Sequence, residues 1–143
     1  MDALQQLERA LAALPTTDVP PRGWTLAQAI AHCAQSIECS IAGYPRLRSP
    51  LFRATIGRIA KRKFLRARRM SHDTTAPILG APELAASLPL ADARERALAA
   101  TRAFAAHDGP LAPHLAYGRC TKDEYAQLHW LHVADHLKTF GLG

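Results

Sequence analysis

The chain has 143 residues, 48% of them hydrophobic and 21% charged, with a formal net charge of +6. That length fits a single domain over residues 1–143 that buries a core without staples, and the balance sets it apart from disordered chains. No apolar run approaches the ~20 residues of a transmembrane helix. The start, Met1-Asp2-Ala3-Leu4, carries an acid where a secretory signal needs bases. The three cysteines (Cys33, Cys39, Cys120) form an odd set with no Cys-x-x-Cys. A reducing, cytoplasmic setting is the expectation, and a disulfide scaffold or cysteine zinc module is set aside.

Prolines at 15, 20, 21, 45, 50, 77, 82, 89, 110 and 113 divide the chain into windows 1–14, 22–44, 51–76, 90–109 and 114–143. Ala and Leu are abundant along the chain while Val, Thr and aromatics are sparse, so helix is favoured in all five windows. Asp2 with Gln5 is the first start signal. Thr25 with Gln28 and Thr121 with Glu124 have the capping-box spacing, in which two exposed backbone donors are satisfied reciprocally. Gly141 is placed to stop the last helix in a left-handed conformation.

Apolar residues at helical spacing give each window a face to bury: Leu4, Leu7, Leu11 and Leu14; Leu26, Ile30, Cys33, Ile37, Ile41 and Tyr44; Leu90, Ala97, Leu98, Thr101 and Phe104; Tyr125, Leu128, Leu131, His132 and Phe140. The pattern predicts an all-α, up-and-down bundle of four main helices, with a basic helix inserted between the second and third.

The inserted stretch has no acid between Glu38 and Asp73 yet holds ten of the eighteen Lys and Arg residues, from Arg46 to Arg69. Its bland reading is a solvated helix face. Its functional reading is anion capture, with Arg58, Arg62, Arg66 and Arg69 beside the bundle mouth. Nucleic acid is the weaker partner, because aromatics are 6% and no recognition signature accompanies the charge. Phe52, Ile56, Ile59 and Phe64 are read first as packing on the bundle, and otherwise as a membrane-surface or dimer contact.

Seven histidines occur. His132 and His136 are four residues apart, one turn on one face, the spacing at which two imidazoles chelate one cation. His129 lies about 10 Å along the axis from His136, too far to share that ion at ~2 Å bonds. It reads as an outer partner or a surface residue. A third ligand must come from another helix. His32 leads, although its position beside Ser36 and Cys39 puts it at the edge of the apolar stripe, facing a cleft, and suits an ordinary surface histidine equally. His72, His107 and His114 read as ordinary loop side chains.

Three segments together resemble the DinB/YfiT-like proteins. Trp24 precedes His32 by eight residues on the second helix. His114-Leu115-Ala116-Tyr117-Gly118-Arg119-Cys120-Thr121 is similar to a His-Pro-x-Phe-Gly-x-Leu-Thr segment of one uncharacterised branch. His132-Val133-Ala134-Asp135-His136-Leu137-Lys138-Thr139-Phe140-Gly141 is similar to its closing His-x-x-His-His-Leu-x-Gln-Phe-Gly. The likeness spans about residues 22–143. It implies a four-helix bundle holding a divalent metal, zinc or nickel, on His32, His132 and His136. It also implies a homodimer, as is common for such bundles, and in some relatives thiol-dependent transfer with a low-molecular-weight thiol. Four positions depart from the pattern (Leu115, Cys120, Asp135, Thr139), and none removes a ligand. Asp135 is placed to accept a hydrogen bond from a ligating imidazole elsewhere.

The functional expectation is a metal-dependent transferase or hydrolase in which the cation activates water or a thiol. No carboxylate stands out as general base. The alternative is a non-enzymatic module of the same fold whose basic helix holds an anionic partner.

Overall fold

The computed structural model describes residues 1–143, and its regular secondary structure is all helix, with two isolated bridges, Arg22–Trp24 and His114–Gly118. The helices are α1 (Ala3–Ala12), α2 (Leu26–Ala42), α3 (Pro50–Ala54), α4 (Ile56–Ala67), α5 (Leu90–Ala106) and α6 (Lys122–Thr139). All three capping boxes form: Asp2 with Gln5, Thr25 with Gln28 and Thr121 with Glu124. Gly141 ends α6 at φ +73°. The Leu142 N–H donates to the Leu137 carbonyl at 2.9 Å and the Gly141 N–H to that of Lys138 at 3.0 Å, the Schellman arrangement.

Helices α1, α2, α5 and α6 form the core bundle. Each of α1 and α2 packs against both α5 and α6, so α1 and α2 occupy opposite corners. The most extensive contact is between α2 and α5. Alanines at 27, 31 and 34 on α2 and at 93, 97 and 100 on α5 are buried at spacings of three or four, which lets the two backbones approach. Around them Leu7, Leu11, Leu26, Ile30, Ile37, Phe104 and Tyr125 are fully buried, each stabilising the fold by about 1.5–3 kcal/mol.

The inserted segment departs from the sequence expectation in two ways. It is two helices, broken at Thr55 (φ −115°, ψ −92°). The break sets the start of α4 against the 114–118 turn, where a Cβ on Gly57 would lie 1.7 Å from the Ala116 carbonyl oxygen, so only glycine fits. Second, the apolar stripe is not packed throughout: Ile56 and Ile59 are 62% and 66% exposed. The reason is that α4 touches only α3 and α6 among the helices, so its outer faces have no cover. Phe64 does pack inward, beside Met70, Leu128 and Leu131.

Residues 68–89 cross from α4 to α5 without regular structure and lie along α2. Two glutamines of α2 tie this strap down. Gln28 Nε2 donates to the Leu84 carbonyl at 3.0 Å and Gln35 Nε2 to that of Pro82 at 3.1 Å. Met70 and Ile78 are the strap's buried anchors.

Candidate metal centre

The strap changes the surroundings of His32. The stripe-edge reading placed this side chain in a cleft, but the strap covers that side of α2 and leaves His32 only 4% exposed. From α6, His132 and His136 project to meet it. The Nε2 atoms of His32 and His132 are 3.2 Å apart, and so are those of His132 and His136. One nitrogen from each of the three lies within 4.8 Å of the other two. The trio selected from the sequence therefore converges on one point.

A fourth histidine joins them. His72, on the strap, places its Nε2 3.2 Å from that of His136. Its ring centroid is 4.9 Å from those of both His132 and His136. Its Nδ1 lies 2.7 Å from Asp135 Oδ2, a close contact without hydrogen-bond geometry. The backbone N–H of His72 donates to the same carboxylate oxygen at 3.2 Å. Reading His72 as an ordinary loop residue is thus corrected. The sequence signal was Asp135, which was already placed to hold an imidazole from elsewhere in the chain.

These nitrogens suit a shared cation better than one another. An imidazole Nε2 carries either one proton or one lone pair. In the run His32–His132–His136–His72, three successive Nε2···Nε2 contacts cannot all be hydrogen bonds, because an inner nitrogen cannot serve both neighbours. The spacing also fits. Nitrogens tetrahedrally disposed about an ion at ~2 Å are about 3.3 Å apart, close to the observed 3.2 Å. The Nδ1 atoms of His32 and His136 are buried without hydrogen-bond partners. Trp24 closes the cluster from one side, its ring 5.0 Å from His32 and stacked parallel to His136 at 6.4 Å.

Electrostatics keep the rings of His32, His132 and His136 neutral and able to ligate. Burial, reinforced by His72, lowers His32 to a pKa of about 4. Burial and the neighbouring imidazoles His32 and His72 lower His136 to about 3. His132 is held well below its ordinary value by burial first and then by the neighbouring imidazoles His136, His32 and His72, which disfavour a further charge.

A cavity of about 160 Å³ adjoins the cluster, with His32, His72 and His132 in its wall. The rest of the wall is mainly Met70, Pro77, Ile78, Leu128, Tyr117 and Tyr125, with Ser36, Asp73, His114 and His129 as polar members. His129 is buried and bonded to Ser40 Oγ at 3.2 Å, stacked on Tyr125, so it is neither a surface residue nor hydrogen-bonded to the cluster. His114 accepts two backbone N–H bonds at Nδ1, from Ala116 at 3.0 Å and Tyr117 at 3.1 Å, which puts its proton on Nε2. It too was read as a plain loop residue, although it opens the His114–Thr121 segment that carries the family resemblance. His107 does bond locally in its loop, to the Pro110 carbonyl.

Arg58, Arg62, Arg66 and Arg69 are all exposed, and none lines the histidine cavity. Placing them at its mouth is therefore corrected: α4 runs along α6 with its basic face turned to solvent. Lys61 on the same helix is committed to structure, pairing with Glu124 at 3.2 Å and donating to the Arg119 carbonyl at 3.0 Å.

No helix is long and apolar enough to cross a membrane. No curated protein and no solved structure matches the chain. One family model does, over residues 1–141, and its description is a protein of unknown function, DUF1569. With that match running through both the strap and the two helices that carry the histidines, the chain belongs to the DUF1569 family.

Proposed function

We propose that this protein is a divalent-metal-dependent enzyme related to the DinB/YfiT-like bundles, with His32, His132 and His136 holding the cation and the adjoining cavity receiving a small substrate. The observation that carries this reading is the convergence of three neutral imidazoles, His32 and His136 buried and His132 half-buried, beside a cavity of about 160 Å³. Zinc and nickel are among the cations whose ligand preferences this all-nitrogen set meets. When bound, such an ion acidifies a coordinated water or thiol and so supplies a nucleophile at neutral pH.

The chain's own residues would do the remaining work. Trp24 and the strap exclude bulk water, and the apolar wall of Met70, Ile78 and Leu128 would orient an uncharged substrate portion. Water is favoured over a carboxylated thiol as the activated group, because no Lys or Arg lines the cavity to hold a carboxylate. The protein's own thiols are poor nucleophiles: burial raises Cys33, and raises Cys120 to about 11.

The test is elemental analysis of protein purified without a histidine tag, followed by a hydrolase and thiol-transfer screen of the loaded form. One equivalent of ion that is lost in His132→Ala, with turnover lost in parallel, supports the proposal. A folded, metal-free protein that ignores added Zn²⁺ and Ni²⁺ overturns it.

A second reading rests on α3 and α4. Leu51, Ile56 and Ile59 are exposed beside Arg58, Arg62 and Arg66, a face suited to an anionic partner or a second copy of the chain. Salt-dependent retention on heparin that disappears in the Arg62, Arg66, Arg69 triple alanine variant supports an anionic partner. Sedimentation as a dimer that Ile59→Arg disperses supports self-association.

A further inference from the structure

We infer that His72 is a fourth metal-binding side chain, carried by the strap and aimed by Asp135. This inference rests on the three-histidine reading above and deepens it. Five ring pairs among His32, His72, His132 and His136 have centroids 4.9–5.2 Å apart, and His72 takes part in two of them. Its Nε2 is as close to that of His136 as the other neighbouring pairs are to each other, at 3.2 Å. A loop histidine packed on the cluster by chance has no reason to turn the same nitrogen inward at the same spacing.

Asp135 supplies the aim. One carboxylate oxygen takes both the backbone N–H of His72 and the close approach of its Nδ1. Main chain and ring are thereby fixed together, and the negative charge beside Nδ1 keeps the proton there, leaving the Nε2 lone pair free. Asp135 sits on α6 between His132 and His136, so the helix that supplies two ligands also positions a third.

The arrangement leaves one edge open. His32 and His72 are the pair without a close ring contact, His72 standing outside the trio whose nitrogens all lie within 4.8 Å of one another, and both line the cavity. A small ligand entering from the cavity would reach the ion between these two rings. The strap that forms the cavity wall through Met70, Pro77 and Ile78 thus also contributes to the ion's coordination, so metal binding and substrate access are linked through residues 70–78.

Zn²⁺ titration against a chromophoric chelator gives the affinity, and X-ray absorption of the zinc-loaded protein counts imidazoles. Four imidazoles in the wild type and three in His72→Ala, with affinity at least ~10-fold weaker, support the inference. Asp135→Asn should weaken binding by ~10-fold, with no further loss when combined with His72→Ala, because it acts through that ring. Should His72→Ala not fold by circular dichroism, His72→Gln and Asp135→Asn carry the comparison. Three imidazoles in the wild type, with affinity unchanged in the His72 variants, overturn the inference and leave the three-histidine site standing. A folded wild type that binds no ion overturns both.

Discussion

Acid should unfold the metal-free protein well before its carboxylates titrate. His32, His129 and His136 are 4%, 3% and 0% exposed, and burial holds their pKa values at about 4, about 3 and about 3. In the unfolded chain each is about 6.5. The folded values are the lower ones, so below pH 6.5 the unfolded chain binds more protons. The stability these neutral rings contribute is complete above pH 6.5 and is lost progressively as pH falls toward their folded values. At pH 5 each unfolded imidazole is favoured by about 2 kcal/mol, and the three together by about 6 kcal/mol. That is comparable to the whole ~5–15 kcal/mol stability of a domain. At ~2–4 °C per kcal/mol, Tm should drop by about 12–24 °C between pH 7 and pH 5. Thermal melts of chelator-treated protein, followed by circular dichroism across that range, measure it. A Tm that changes by less than about 3 °C over this interval refutes the reasoning, because the three rings would then have to be solvated in the folded state.

Four further outcomes follow from named contacts. Zn²⁺ at about 100 times its Kd should add about 2.7 kcal/mol and raise Tm by about 5–10 °C at pH 7, an effect absent in His132→Ala, as differential scanning fluorimetry reads. Gly57→Ala should destabilise by about 1–3 kcal/mol in urea unfolding, because its Cβ would sit 1.7 Å from the Ala116 carbonyl. Thr121→Ala should cost about 1 kcal/mol in the same assay by removing the cap on the Glu124 N–H. Ile59→Ser, at a position 66% exposed, should change stability by less than about 0.5 kcal/mol, in contrast to the buried Ile30.

The position of the strap also explains a conflict within α2. This helix is buried nearly all round from Leu26 to Ile37, including Gln35, Ser36 and His32. A helix carrying polar residues on one side ordinarily turns them to water. Here residues 68–89 cover that side, and Gln28 and Gln35 hold the cover by bonding its carbonyls. The polar groups are there to receive backbone and to line a cavity, which accounts for a 22-residue connection without regular structure in a small domain.

Local features were legible from residues alone. Caps at Asp2, Thr25 and Thr121 and the stop at Gly141 depend on neighbours three or four positions away, so spacing specifies them. The convergence of His132 and His136 is likewise a property of one helical turn, and the approach of His32 is set by the packing of α2 on α6. Tertiary closure decided the remainder. His72 reaches the cluster only because the strap returns along α2, a path with no periodicity to read, and His32 is buried for the same reason. Ile59 is exposed because α4 meets a single helix of the core, which its own amphipathic pattern does not reveal. Helix caps and faces are short-range and periodic, whereas the route of an irregular segment is set by which distant carbonyls and side chains can be satisfied at once.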